Sequence, residues 1–318
     1  MKRILIFLSA VLLLMHLTAT AQQIIFTPQW TPQSQFAGYY AAYENGYYKE
    51  AGLDVRIVHP TKSYSTLNRL EDGSCNIITQ ELIQAMMAND DGASLVNILQ
   101  TTRHSTLVLL SRDEDVRTFE DLKGKRVGTW KVGFSEIPHM IDRKLDLGIE
   151  WIMFMNSVNL YISGAVDATL AKSYNEQIRM KMSGAKVGSV LNFSDSGFDF
   201  PEDGVYVTEE FYNRYPEVCK AFAEASRRGW EWVRDHRDEA LELSIRYAKA
   251  ENVPVSVYHQ KEMLDEILRV QEDAPGVAPS YVLEREAFER LNDALLYYEY
   301  IEKALDYDEF VGNKEGRK

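Results

Sequence analysis

The stretch Trp30-Thr31-Pro32-Gln33-Ser34-Gln35-Phe36-Ala37-Gly38-Tyr39-Tyr40-Ala41-Ala42-Tyr43-Glu44-Asn45-Gly46-Tyr47-Tyr48-Lys49-Glu50-Ala51-Gly52-Leu53-Asp54-Val55-Arg56-Ile57-Val58 decides the fold. An aromatic loop, Trp30 to Phe36, runs into a helix whose apolar and aromatic residues recur at helical spacing. The helix is expected to stop at Gly46, with a turn to Gly52 and a strand from Leu53 to Val58. Trp and Tyr offer flat apolar faces to a ring, and Gln offers a donor and an acceptor side by side. Tyr40 and Tyr43 read better as core than as lining.

Outward from this block the pattern alternates. Thr66–Glu71 reads as a helix, Asn76–Ile78 as a short strand, Leu82–Met87 as a helix and Leu95–Leu99 as a buried strand. This order implies a mainly parallel sheet with helices on both faces. Leu107–Leu110 is read as the strand crossing to a second unit. There Phe119–Leu122 forms a helical turn before the strand at Val127, and Trp151–Met155, Asn159–Gly164 and Val166–Leu170 continue the alternation. The chain returns at Val205–Val207. Helices follow from Pro216, which suits a first helical position, then over Glu239–Ala248, Val257–Val270 and Leu283–Leu305. The tail from Gly312 is expected to fray.

At the other end, Lys2 and Arg3 precede an apolar run to Leu17, and Ala19-Thr20-Ala21 satisfies a small-x-small cleavage rule. Residues 1–21 therefore read as a cleavable secretory signal. The run falls short of the roughly 20 residues of a membrane span. The mature chain is expected to begin near Gln22 and to be exported. Net charge is −13, an acidic balance that argues against nucleic acid as a partner. Cys75 and Cys219 are read as free buried thiols, and the scattered histidines form no metal-ligand cluster. His59, His104 and His139 read as structural, with His104 the candidate exception because it follows a strand. No G-x-S-x-G, H-E-x-x-H or phosphate-loop pattern is present, so no catalytic residue, metal or cofactor is assigned.

Four segments carry a resemblance. The Trp30–Val58 block, the step Asp121-Leu122-Lys123-Gly124-Lys125-Arg126-Val127-Gly128, and Gly164-Ala165-Val166-Asp167-Ala168 with Tyr174-Asn175-Glu176 resemble type II periplasmic solute-binding proteins. The branch is the one that includes thiamine-pyrimidine binders and the pyrimidine synthases. The resemblance implies a two-lobed α/β fold with a ligand cleft between lobes. Lobe 1 would span 22–110 and 206–318, and lobe 2 would span 111–205. It also implies an ABC-importer permease as partner, and we expect a monomer.

Ligands in such folds sit beyond the carboxyl ends of strands. The candidate ligand-binding residues are accordingly Trp30, Gln33, Phe36, Tyr39, Tyr64, Gln80, Glu81, Gln100, Trp130, Phe134, Tyr174, Asn175 and Glu176. Tyr174, Asn175 and Glu176 place a ring, an amide and a carboxylate in a row. Such a set can stack on an aminopyrimidine and accept from its amine, strongly so where a ring nitrogen is protonated. Trp30, Trp130 and Tyr174 are expected to close on the ring. Phe198–Gly204 is expected to close the cleft from the second lobe. The synthases carry a run of cysteines near there, and this chain has none between Cys75 and Cys219. Without thiols the segment lacks soft ligands for iron. The favoured ligand is a thiamine-pyrimidine precursor. A flavin, a sulfonate or another small anion is the alternative, with Lys131 and Arg103 available to it.

Overall fold

A computed structural model describes residues 23–60, 65–131, 133–154 and 158–312. The expected signal segment 1–21, Tyr64, Met155 and the tail beyond Gly312 lie outside the described residues.

Two five-stranded sheets form the framework. The first contains β1 (Gln23–Thr27), β2 (Asp54–Ile57), β3 (Ile77–Glu81), β4 (Leu95–Gln100) and β10 (Asp203–Thr208), in the order β2-β1-β3-β10-β4. The second contains β5 (Leu107–Ser111), β6 (Arg126–Trp130), β7 (Glu150–Phe154), β8 (Ala168–Lys172) and β9 (Ser189–Asn192), in the order β7-β6-β8-β5-β9. β10 is antiparallel to β3 and β4, and β5 is antiparallel to β8 and β9, while the other pairings are parallel. Each sheet therefore has one reversed strand. The reversal follows from the route: β5 enters the second sheet from the first, and β10 makes the return. β4 and β5 are buried at every residue, as strands covered on both faces must be. Leu107–Leu110 thus belongs inside the second sheet rather than on a bare crossing. The crossings are the segments 101–106 and 197–202.

Helices cover the sheets. α1 (Ala37–Glu44) follows the aromatic loop, and a short α2 (Tyr47–Glu50) continues it. α3 (Thr66–Glu71) starts at Ser65, whose hydroxyl accepts from the Asn68 N–H. α4 (Leu82–Asp90) follows β3 directly. The second lobe adds α5 (Glu136–Leu145), α6 (Asn159–Ile162) and α7 (Glu176–Ser183). After β10 come α8 (Glu209–Arg214), α9 (Pro216–Asp235), α10 (Arg237–Ala250), α11 (Val257–Val270), α12 (Arg285–Tyr297) and α13 (Tyr307–Phe310). No described helix is long and apolar enough to cross a membrane.

The expected helix Leu283–Leu305 is shorter than the sequence suggests. α12 ends at Tyr297, Glu299 takes a left-handed φ of 64°, and the Tyr300 N–H returns to the Leu295 carbonyl. Asn292 then fixes the outgoing chain by exchanging two hydrogen bonds with the main chain of Leu305.

α1 and α9 approach closely because both carry glycine at the crossing. A Cβ on Gly38 would fall 2.2 Å from the Trp230 indole, and one on Gly229 would fall 2.1 Å from the Gly38 carbonyl oxygen. Cys75 and Cys219 are both free and buried. The two lobes touch. One apolar cluster runs from Leu82 and Ala85 of α4 to Ile137 and Met140 of α5. In a second, Tyr174 and Ile178 join the first-lobe residues Phe26, Tyr39 and Trp230.

Candidate functional site

The site grows from the strand ends that face across the lobes. β3 ends at Glu81, and the register of β10 sets Asp203 opposite it, so Glu202 and Asp203 enter beside Glu81. β8 of the second lobe ends at Lys172. The Lys172 Nζ donates to Glu81 Oε1 at 2.7 Å and to Glu202 Oε2 at 3.0 Å. All three side chains are largely withdrawn from water, at 6%, 10% and 12% exposure for Lys172, Glu81 and Glu202. A buried ion group of this kind requires every member to be paired. Burial alone would lower the Lys172 pKa, but Glu202 and Glu81 together hold it above the usual lysine range. Burial raises Glu81, with Lys172 opposing and Glu202 and Asp203 adding to the rise.

The surroundings are amides, hydroxyls and rings. Asp203 accepts from Gln29 Nε2 at 2.8 Å and from Gln35 Nε2 at 2.7 Å, and burial raises its pKa. Gln33 Nε2 donates to Gln35 Oε1 at 2.6 Å. The Phe134 ring centroid lies 4.8 Å from Lys172 Nζ, and Trp130 meets Phe134 edge-on at 5.3 Å. Phe134 holds a left-handed φ of 63°, a strained setting for a bulky residue. Glu81, Ser105, Phe134, Glu136, Lys172 and Glu202 are among the walls of a cavity of about 20 Å³, room for roughly one water. A wider outer groove of about 580 Å³ is lined by Phe198, Phe200, Tyr297 and Tyr298. Its charged residues, Lys144, Arg290 and Asp293, are all exposed, so it offers no desolvated polar contact.

Carboxylates also bind the two crossing segments together. Glu202 accepts from Ser105 Oγ at 2.9 Å, from the Thr106 N–H at 2.8 Å and from Thr106 Oγ1. Asp199 accepts from the Ser105 N–H at 2.8 Å and pairs with His104 Nδ1 at 2.7 Å. That hydrogen bond raises the His104 pKa against the opposing effect of burial.

The structure distributes the candidate residues as follows. Glu81, Trp130, Phe134 and Tyr174 sit around the interlobe group: the Tyr174 hydroxyl is buried, and Asp203, Glu81, Glu202 and Glu176 add to burial in raising its pKa. Gln33 reaches the group through Gln35. Gln100 holds the crossing itself, its Nε2 donating to the carbonyls of Thr102 and Asp203. Phe36 and Tyr39 lie in the first-lobe core, with Tyr39 between Phe26 and Trp230. Gln80 is half-buried, 3.4 Å from Thr66 Oγ1. Trp30 is 50% exposed, and its carbonyl accepts from His59 Nδ1 at 2.5 Å. The Glu176 carboxylate accepts the Lys172 main-chain N–H at 3.0 Å and the Asn175 amide at 2.9 Å, closing the loop before α7. Tyr64 lies outside the described residues. Of the cations considered for an anion site, Arg103 lies within 3.9 Å of both Asp273 and Glu284.

Lys172, Glu202, Asp203, Gln29 and Gln35 belong to the interlobe polar group and are not among the sequence candidates. The Glu202–Asp203 pair stands inside Phe198–Gly204, expected to close the cleft, and Lys172 stands two residues before Tyr174. The pairing of β10 against β3 sets the two acids beside Glu81, and the Lys172 ammonium meets Glu81 and Glu202 from the other sheet.

This two-lobed α/β framework, with a polar group between the lobes, is that of a periplasmic binding protein. The aliphatic sulfonate-binding protein SsuA of Escherichia coli superposes with a TM-score of 0.67 at 16% identity, covering 93% of this chain and 94% of that one. The chain belongs to the NMT1/THI5-like family, whose model matches residues 33–240. It is 25% identical to a formylaminopyrimidine-binding protein of Halalkalibacterium halodurans, over 78% of this chain and 77% of the other. It is 22% identical to the riboflavin-binding protein RibY of Chloroflexus aurantiacus, over 72% and 67%. It is 21% identical to a 4-amino-5-hydroxymethyl-2-methylpyrimidine phosphate synthase of Saccharomyces cerevisiae, over 67% and 68%.

Proposed function

We propose that the protein is an extracytoplasmic solute-binding component of an ABC importer. It captures a small heteroaromatic nutrient, a thiamine-pyrimidine precursor being the favoured case, and hands it to a membrane permease. It is exported by a cleaved signal, acts in the periplasm as a monomer and catalyses no reaction. The observation that carries this reading is the interlobe group of Lys172, Glu81 and Glu202, flanked by Phe134 and Tyr174. The group joins two lobes at the place where a closing cleft holds its ligand. Carboxylates and amides supply acceptors for an amine edge, and the rings supply stacking faces.

The lobes divide at the crossings 101–106 and 197–202, which act as the hinge. Tyr174, Trp130, Phe134 and Glu81 form the lining, with Gln33 and Asn175 behind them. Trp30, half exposed, is assigned to the rim. A synthase needs an iron site, and both cysteines are buried, Cys75 at 2% and Cys219 at 1% exposure. Burial raises both thiols, Cys75 to about 11 and Cys219 to about 12, which opposes the thiolate that binds metal.

Thermal unfolding with aminopyrimidines, riboflavin and an alkanesulfonate tests the reading. An aminopyrimidine at 100 times its Kd should add about 2.7 kcal/mol, a rise of roughly 5 °C. No rise with any aminopyrimidine, beside a clear rise with the sulfonate, would reverse the ligand assignment.

A further inference from the structure

We propose that the cleft takes its ligand as an organic cation, a flat ring bearing an amidinium-like edge, in exchange for the ammonium of Lys172. The proposal rests on the reading of the interlobe cleft as the ligand site and goes beyond it by fixing the ligand's charge. Lys172 already displays the chemistry of the site. Its Nζ is held by Glu81 at 2.7 Å and Glu202 at 3.0 Å, with the Phe134 ring centroid 4.8 Å away. Two buried carboxylates and one aromatic face are the partners a desolvated cation needs. Phe134 is kept there by a left-handed backbone, so the aromatic wall is held at the cost of strain.

The charge inventory points the same way. Among the described residues that wall the small cavity, Glu81, Glu136 and Glu202 are acidic and Lys172 is the one cation. Asp203 adds a further carboxylate beside Glu81. An anion entering here meets a surplus of carboxylates. A cation takes the place of the ammonium and leaves the pairing intact.

The cavity also excludes simple addition of a ligand. At about 20 Å³ it has no room for a ring while the Lys172 side chain fills the box. Lys172 ends β8 on the second lobe, whereas Glu81 ends β3 on the first. Opening the cleft therefore draws the ammonium away from Glu81 and clears the box. The lysine is a stand-in for the ligand rather than a ligand contact.

Benzamidine and benzamide decide between these roles. They share size and flatness, but benzamidine is charged at neutral pH and benzamide is not. Calorimetric titration of the full mature chain at pH 7 is expected to show benzamidine binding at least tenfold tighter than benzamide. In Lys172→Met the competitor is gone, and benzamidine should gain a further tenfold while benzamide does not. Equal binding of benzamidine and benzamide in the wild type, or tighter binding of benzamide, overturns the proposal even if aminopyrimidines bind. Loss of benzamidine binding in a folded Lys172→Met chain also overturns it, because Lys172 would then be a ligand contact. If Lys172→Met does not fold, the wild-type pair decides alone. Preference for benzamidine with no response to any aminopyrimidine would keep the cation assignment and remove the pyrimidine one.

Discussion

His59 shows how one side chain joins the aromatic loop to the first helix. Its Nδ1 faces the Trp30 carbonyl at 2.5 Å, which can only accept, so Nδ1 carries the ring proton. Nε2 then accepts from the Tyr40 hydroxyl at 3.0 Å. A second proton would face a donor in a buried site, and burial lowers the His59 pKa to about 4 from its ordinary 6.5, the Trp30 carbonyl opposing. Between these values the unfolded chain binds the extra proton and the folded chain does not. His59 therefore contributes its full stability above pH 6.5 and loses it as pH falls toward 4, a change on the order of 3 kcal/mol. Urea unfolding of wild type and His59→Gln at pH 7 and pH 4.5 checks this: the variant should be the less stable at pH 7 and should lose less on acidification. At this scale the sequence disclosed residue types, and among the candidates Glu81, Phe134 and Tyr174 come to the interlobe group. Lys172 was hidden because a lysine beside a serine reads as solvated until the two carboxylates that pair with it are placed by a strand register. The local setting of Glu176 was not legible for a related reason: nothing nearby in the sequence shows that its carboxylate folds back onto the Lys172 N–H.

Two element-level features hold the shape. The first is the α1–α9 crossing. Gly229→Ala would drive a methyl into the Gly38 carbonyl, a backbone atom that no rotamer change can move aside. Overpacking of this kind costs about 1–3 kcal/mol, and a lower urea midpoint with an unchanged slope is the expected result. The second is the pair of crossing segments. Glu202→Ala removes the acceptor of Ser105, Thr106 and Lys172 together. Breaking a buried ion group this way costs about 3–5 kcal/mol, and calorimetry should show a lower and broader unfolding transition as the lobes uncouple. Elements with strong local signals were legible. Thr66–Glu71 and Val257–Val270 form helices over the residues their periodicity marked, and β4 and β5 were visible as apolar runs. The end of α12 was not, because Glu299 adopts the left-handed turn without the glycine or proline that would announce it.

At the scale of the whole molecule, the two sheets are linked by crossings at 101–106 and 197–202, and the strand ends that meet between them carry acids, amides and rings. The order of strands and helices was enough to foresee two lobes of this kind. How the lobes meet was not legible, since contacts such as Lys172 to Glu81 join residues far apart in the chain. The most direct test is a calorimetric titration of the mature protein with an aminopyrimidine, run in parallel on Glu81→Gln. We expect saturable one-to-one binding by the wild type and at least a tenfold loss in the variant. Equal affinity in both chains, or no heat in either beside tight binding of a sulfonate, would contradict a cleft that grips a nitrogen heterocycle through its carboxylates.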